Sequence, residues 1–199
     1  MTLIAYDQAV DQIMRSVQEI LSNVSKDQVE KMVKMMLEAK EHRILIIGVG
    51  RSGLIGKSFA MRLMHLGFNV YVMGETITPA IGKNDLIISI SGSGTTKLVV
   101  IAAEIAKEVD AKIIAVSSYP DSSLGKIADH IVQIRGRAQL AREKDYFLRQ
   151  ISGIHAPLAP LGTMFEISAS IFLDSVIAEV ISKLGKTEDE LRKKHATIE

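Results

Sequence analysis

Five short apolar runs that alternate with helical patterns constrain the fold of this chain most strongly. The runs are bounded by glycine or polar residues and cover residues 44–47, 70–73, 86–90, 112–116 and 130–134. Such runs are typical of strands that are buried on both faces of a parallel sheet. Helical patterns lie between them, at about residues 54–66, 96–109 and 122–128. The alternation predicts an α/β fold, with a parallel sheet of five strands between two layers of helices.

Helical segments flank this region on both sides. Residues 9–39 have apolar residues at helical spacing and predict two helices, which are split near residues 22–26. A long helix is predicted at 163–184, ended by Gly185, and it is apolar nearly all round. Such a helix must be buried, and a chain of 199 residues has little interior in which to bury it. We therefore expect contact between subunits, in a homo-oligomer that is a dimer or a tetramer.

The remaining segment, 136–152, is charged and weakly patterned, which indicates an inserted loop or short helix. No repeat or interdomain linker divides the chain. We expect one domain over residues 1–199, with an N-terminal helical arm at 1–40.

Composition and charge argue against several classes of protein. The 24 basic and 23 acidic side chains nearly cancel, so no basic surface for nucleic acid or an anionic membrane is expected. The longest apolar run is far shorter than the ~20 residues of a membrane-spanning helix. Cysteine is absent, which excludes thiolate chemistry and fits a cytoplasmic protein. The five histidines lack ligand spacing, so no metal site is expected.

A glycine-rich turn follows the first predicted strand. Residues 48–53 read Gly-Val-Gly-Arg-Ser-Gly and open a helix, which matches a dinucleotide-binding pattern. Glu75, just after the second strand, would then be the acid that binds the ribose. The pattern also suits other anions, because glycines let the backbone approach an anion closely and the start of the helix presents N–H groups without partners in the helix. The turn predicts a nearby anion without identifying it.

A second glycine-rich turn follows the third predicted strand. Residues 91–96 read Ser-Gly-Ser-Gly-Thr-Thr, and hydroxyls and N–H groups at the start of a helix form a phosphate cradle. No lysine follows the glycines as it does in a P-loop. The alternative is an ordinary helix cap. Ligands bind at the carboxyl ends of strands in such sheets, so two turns there favour a small phosphorylated polyol over a dinucleotide.

Several segments resemble a known family. The pattern S-x-S-G-S-G-x-T at 89–96 resembles the phosphate-binding hallmark of SIS (sugar isomerase) domains. Residues 48–53 and 59–68, with 74–79, 160–166 and 194–196, resemble 6-phospho-3-hexuloisomerases. The segments RLMHLGF and PLGTMFE are the more specific ones. The resemblance runs from about residue 39 to the C-terminus and implies a flavodoxin-like or Rossmann-like SIS fold.

The resemblance also implies an activity and a site. The reaction would interconvert 3-hexulose 6-phosphate and fructose 6-phosphate through an enediol, without metal or organic cofactor. Glu166 would abstract the proton, His65 would assist, and Arg51, with Ser52 beside it, would contact the substrate. The implied phosphate-binding residues are Ser91, Gly92, Ser93, Gly94, Thr95 and Thr96. Segment 136–152 is longer than the usual connection in the family and precedes Glu166, so the shape of the pocket rim and the identity of the sugar stay open.

Each catalytic candidate also has a structural interpretation. Thr163 and Glu166 fit a capping box, in which the glutamate bonds back to the start of the helix. His65 would complement the dipole at the end of a helix, and Arg51 would be a solvated surface residue. A further hypothesis places His195, near the C-terminus, at the site of a neighbouring subunit. Two alternative functions stay open, namely an isomerase of another phosphosugar and a sugar-phosphate sensor without turnover.

Overall fold

A parallel sheet forms the centre of the computed structural model, which describes residues 3–136, 162–187 and 190. Its strands are β1 (Arg43–Gly48), β2 (Asn69–Val72), β3 (Leu86–Ile90), β4 (Lys112–Ser117) and β5 (His130–Gln133). They lie in the order β2-β1-β3-β4-β5, and each neighbouring pair is parallel. The predicted sheet of five parallel strands is confirmed.

Helices cover both faces of the sheet. They are α1 (Ile4–Ser22), α2 (Lys26–Glu38), α3 (Arg51–His65), α4 (Lys97–Glu108), α5 (Ser123–Ile127) and α6 (Thr163–Leu184). The first three and α6 lie on one side, whereas α4 and α5 lie on the other. No helix in the described part of the chain has the length and apolarity needed to cross a membrane. The predicted insertion lies outside the described residues, except for Gly136.

Local signals explain where the helices begin and end. The Ser25 hydroxyl accepts a hydrogen bond from the Gln28 N–H and so caps the start of α2. At the end of α3, Gly67 has a φ of 82° and its carbonyl accepts a hydrogen bond from the Lys40 ammonium at 2.6 Å. Gly185, with a φ of 61°, ends α6 as a left-handed residue. These local signals define the start of α2 and the ends of α3 and α6.

The core is divided between the two faces of the sheet. On one face, isoleucines such as Ile46 and Ile88 pack against Phe59 and Leu63 of α3. On the other face, Ile87 and its neighbours pack against α4. Every residue of β3 is buried, as the continuous apolar run predicts.

Helix α6 is buried, as its sequence predicts, but it is covered by helices of the same chain and not by another subunit. Nine of its side chains are buried, and α1, α2 and α3 of the same chain pack against it. The N-terminal arm therefore supplies much of the cover that the sequence analysis assigned to another subunit.

Exposed apolar side chains occur on α1 and also form stripes on two other helices. On α3, Leu54, Met61 and Met64 are between 45% and 67% exposed. On α4, Leu98, Ile101 and Ile105 are between 50% and 55% exposed, and Val109, directly after the helix, is 38% exposed. The two stripes lie on opposite sides of the sheet.

A half-buried histidine, His130, fastens the edge strand β5 to α2. The His130 Nε2 atom lies 2.7 Å from the Gln28 carbonyl oxygen, and the Gln133 N–H donates to the Gln28 side chain at 3.0 Å. Burial lowers the pKa of His130 below its ordinary value of 6.5, although the Gln28 carbonyl opposes this shift and Lys31 reinforces it. The folded protein therefore favours the neutral imidazole.

This shift predicts a loss of stability in mild acid. The unfolded chain binds a proton at His130 below pH 6.5, whereas the folded protein does so only at a lower pH. The contribution of His130 is therefore fully present above pH 6.5 and declines as the pH falls towards the folded-state pKa. Urea unfolding at about pH 7.5 and pH 5.5 should show a smaller acid loss in His130→Gln than in the unmodified chain. An equal loss in both would contradict the assignment.

Candidate active site

The turn after β1 brings the backbone of a strand and a helix into close contact. A Cβ atom at Gly53 would lie 2.9 Å from the Gly48 carbonyl oxygen, so this crossing excludes a side chain. Gly50 precedes α3 with a φ of 60°, and no side chain caps the helix there. Arg51 is the first residue of α3 and Ser52 follows it, so both lie at the carboxyl edge of the sheet. The Arg51 side chain is 56% exposed at this edge.

The second turn, residues 91–96, is organised by its own hydroxyls. The Ser91 hydroxyl accepts from the Gly94 N–H and lies 3.2 Å from the Thr96 hydroxyl, and the Thr95 N–H donates to the Ser93 hydroxyl. Thr96 precedes α4, and no side chain caps that helix either. The predicted alternative, an ordinary side-chain cap, is therefore absent at α4. The first N–H groups of α4 face the same edge as Arg51.

Ser117 at the end of β4 and Ser122 at the start of α5 pack against this turn. Gly94 has a φ of 64°, and a Cβ atom there would clash with the Ser122 hydroxyl and lie 2.9 Å from the Ser117 hydroxyl oxygen. The Gly94 carbonyl accepts from the Leu124 N–H. The sequence analysis missed Ser117 and Ser122. The signal that could have found them is their position at the end of a buried strand and at the start of the helix that follows it.

Glu166 and Arg51 meet at the carboxyl edge of the sheet. The Arg51 Nε atom donates to the Glu166 carboxylate at 2.9 Å, and the Glu166 side chain is 19% exposed. The pair joins the first turn of α3 to the first turn of α6. A carboxylate and a guanidinium held together at this edge can serve a proton transfer and a developing negative charge.

The capping box expected at Thr163 and Glu166 does not form. Gly162 precedes α6 with a left-handed φ of 90°, and no side chain caps this helix. A Cβ atom at Gly162 would lie 2.6 Å from an Arg51 nitrogen and 2.8 Å from a Glu166 oxygen. Glycine at this position therefore leaves the space in which the two side chains meet.

Contact between the second turn and α6 completes the group. A Cβ atom at Gly92 would lie 3.0 Å from the ring of Phe165, which immediately precedes Glu166. The structure thus brings Arg51, Ser52, Glu166 and the 91–96 turn to one edge of the sheet.

His65 lies elsewhere in the same chain. It is the last residue of α3 and Arg51 is the first, so the 15 residues of the helix separate them by about 21 Å. His65 is buried, near the amino edge of the sheet. The predicted grouping of His65 with Glu166 therefore does not occur within one chain. His195 lies outside the described residues.

Glu75, the remaining acidic candidate, forms an ion pair with a lysine of α3. Glu75, which would bind a ribose in a dinucleotide site, lies 2.7 Å from the Lys57 ammonium. Among the described residues, no three His, Asp or Glu side chains come together as a possible metal site.

Comparisons with known proteins agree with this geometry. Residues 37–167 match the model of the SIS domain. A 3-hexulose-6-phosphate isomerase of Methanocaldococcus jannaschii is 40% identical over 173 residues, which is 87% of this chain and 85% of that protein. One of Bacillus subtilis is 35% identical over 190 residues, which is 96% of this chain and 97% of that protein.

A solved structure extends the likeness to the fold. It is a hypothetical protein of Methanococcus jannaschii for which the function of 3-hexulose-6-phosphate isomerase was inferred. The TM-score is 0.75 at 36% identity, over 99% of this chain and all of the other. The chain belongs to the SIS-domain family, among the relatives of the 3-hexulose-6-phosphate isomerases.

Proposed function

We propose that this protein is a sugar-phosphate isomerase that interconverts 3-hexulose 6-phosphate and fructose 6-phosphate through an enediol. The observation that carries the proposal is the Arg51–Glu166 pair at 2.9 Å, beside a hydroxyl-rich turn at the start of a helix. The names of relatives at 35–40% identity support the same reaction. The proposal takes residues 1–199 as one SIS domain with an N-terminal helical arm at 1–40, without a metal or organic cofactor.

The proposed division of roles follows the positions of the groups. The N–H groups and hydroxyls of residues 91–96 hold the phosphate at the start of α4, where the helix dipole favours an anion. Glu166 removes the proton from C2 of the 3-hexulose and returns it to C3. Arg51 stabilises the negative charge that develops on the enediolate oxygens. Ser52 contacts the sugar from the first turn of α3.

A solvent-exchange assay tests this function directly. Fructose 6-phosphate is incubated with the protein in deuterated water and followed by proton NMR. Deuterium at C3, or at C2 of a 3-hexulose product, is expected from reversible enediol formation. Exchange at C1 would instead indicate an aldose-forming isomerase. A thermal shift without exchange would favour a sensor, and the absence of both would exclude this sugar.

The substitution Glu166→Gln is the matched test of the base. The amide keeps the size of the side chain and can still accept a hydrogen bond from Arg51, but it cannot take a proton. We expect exchange at C3 to fall by about 10²- to 10⁴-fold, the usual contribution of general acid–base catalysis. The melting temperature should change little. Full activity in this variant would refute the assignment of Glu166.

Within this proposal, His65 acts from a second copy of the chain. The exposed stripe of Leu54, Met61 and Met64 allows α3 to pack against α3 of another copy. In an antiparallel two-fold contact, the end of one α3 lies beside the start of the other. The end of α3 that carries His65 would then lie beside the partner's Arg51. His65 is buried in its own chain, so its side chain would have to turn outward to move protons between the enediol oxygens.

The second stripe, on α4, supports a tetramer. It lies on the opposite side of the sheet from α3, so the two stripes supply two separate interfaces. Two such interfaces generate a closed tetramer from two dimers. We place this homotetramer in the cytoplasm, because the chain has no cysteine and the proposed substrate is a phosphorylated metabolite.

Matched charge substitutions separate the two interfaces. Met61 on α3 and Ile101 on α4 are 45% and 50% exposed, so a glutamate at either position costs little in an isolated chain. We expect Ile101→Glu to give active dimers. Met61→Glu should lose both the α3 contact and most of the activity. Light scattering after gel filtration measures the mass, and an unchanged mass for both variants would contradict the proposed assembly.

Mixing two inactive variants tests the shared site. If each site takes Glu166 from one copy and His65 from its partner, a hybrid of Glu166→Gln and His65→Asn contains one intact site. Random reassociation of two-fold dimers should restore about one quarter of the normal activity. Mixtures that remain inactive, although mass spectrometry detects hybrids, would remove His65 from the shared site.

A further inference from the structure

The ring of Phe165 separates the 91–96 turn from the rest of the core. Phe165 is only 6% exposed, and a Cβ atom at Gly92 would lie 3.0 Å from its Cδ1 atom and 3.2 Å from its Cγ atom. The Gly92 backbone therefore lies directly on the ring, and a methyl group there would require the ring to shift by a few tenths of an ångström. Gly92 does not have a positive φ, so steric contact rather than backbone conformation is what disfavours a side chain there.

Gly92 and the ring are both held from other directions. The Gly92 carbonyl accepts a hydrogen bond from the Ser118 N–H at 3.1 Å. The Ser118 hydroxyl donates to the Ile134 carbonyl at 2.7 Å. A Cβ atom at Gly136 would lie 3.2 Å from the Phe165 Cβ atom, so Gly136 packs against the start of this side chain. A displacement of Gly92 towards the ring must therefore move Phe165, because the two are already in close contact.

Phe165 and Glu166 are successive residues in the first turn of α6. Phe165 belongs to the core on the sheet, whereas Glu166 reaches Arg51 of α3. A shift of the ring thus changes the position of the turn that carries the carboxylate. We propose that Phe165 is a positioning residue, which couples occupancy of the 91–96 turn to the placement of the Glu166 carboxylate.

This inference rests on the proposed function. It explains how binding of the phosphate can affect proton transfer at C2 and C3, which are distant from it. The phosphate of the sugar is remote from C2 and C3, so its binding can assist the reaction only by orienting the reacting groups. A misplacement of about 1 Å at such a site costs on the order of 10²-fold in rate. Phe165 supplies a rigid contact through which the occupied turn fixes the base.

The first test removes the ring and keeps the apolar character. In Phe165→Leu we expect kcat to fall by about 10- to 100-fold with KM changed less than about 3-fold, because the turn still binds phosphate. Phe172→Leu is the matched control, since Phe172 lies on the same helix, is 4% exposed and packs in the same core. It should lose comparable stability and keep its kcat. An equal decrease in kcat for both variants would overturn the proposal.

A second variant keeps the test valid if Phe165→Leu folds poorly. The methyl group of Gly92→Ala meets the ring and should lower kcat, whereas Phe165→Leu makes room for that methyl group. The double variant should therefore be more active than the product of the two single effects predicts. Independent effects would contradict a direct coupling between the two residues.

A binding measurement separates this inference from the proposed reaction. Inorganic phosphate is titrated into the protein while the backbone amides are followed by NMR. Resonances of both Gly92 and Glu166 should shift in the unmodified chain and in Phe172→Leu, but Gly92 alone in Phe165→Leu. A Glu166 response that survives in Phe165→Leu, or is absent from the unmodified chain, would overturn the coupling. Failure of the exchange assay with fructose 6-phosphate, by contrast, would overturn only the reaction.

Discussion

The parallel pairing of β1 with β3 is the constraint on which the candidate site depends. Residues Ile44 to Gly48 pair in register with Leu86 to Ile90, so both strands end at the same level. The two turns that follow therefore lie side by side. The chain leaves β1 towards β2 and leaves β3 towards β4 in the opposite direction, which opens a crevice between the turns. A slip of one residue would exchange the side chains that pack against α3 with those that pack against α4, so close packing on both faces fixes this register.

Glycines then decide how closely the parts around the crevice approach. Gly53 lets α3 start against the end of β1, and Gly92 lets the second turn lie on the Phe165 ring. Gly162 leaves room for the ion pair between α3 and α6. In each case the neighbour is a different element of the fold. The glycines at this edge therefore serve close packing, in addition to the anion binding that the sequence predicts.

Much of this architecture could be predicted from the sequence, because buried parallel strands appear as bounded apolar runs. Strand β3 and helix α6 have the predicted bounds, and the other strands differ by one or two residues. The cover of α6 could not be predicted, because periodicity identifies an apolar face without its partner. The distance of His65 from Arg51 was accessible in principle, since it follows from the length of α3.

The site itself was predictable in its residue types but not in its pairings. The spacing of Thr163 and Glu166 indicates a capping box, yet the left-handed Gly162 precedes the helix. The Glu166 carboxylate accepts a hydrogen bond from Arg51 instead. A motif of four residues contains no information about a partner that the fold brings from another helix.

The ion pair at the crevice also has a consequence for how a substrate is received. The Arg51 Nε atom and the Glu166 carboxylate are paired at 2.9 Å, and Arg51 is more exposed than Glu166. In the proposed reaction, a sugar whose oxygen atoms enter between them would take over the guanidinium N–H groups, because those groups are fixed donors that suit an anionic oxygen. The Glu166 carboxylate would then be released when a carbon-bound proton lies beside it. The ion pair would thus hold the proposed base until the substrate is in place, while Phe165, which packs in the core beside it, limits the movement of α6.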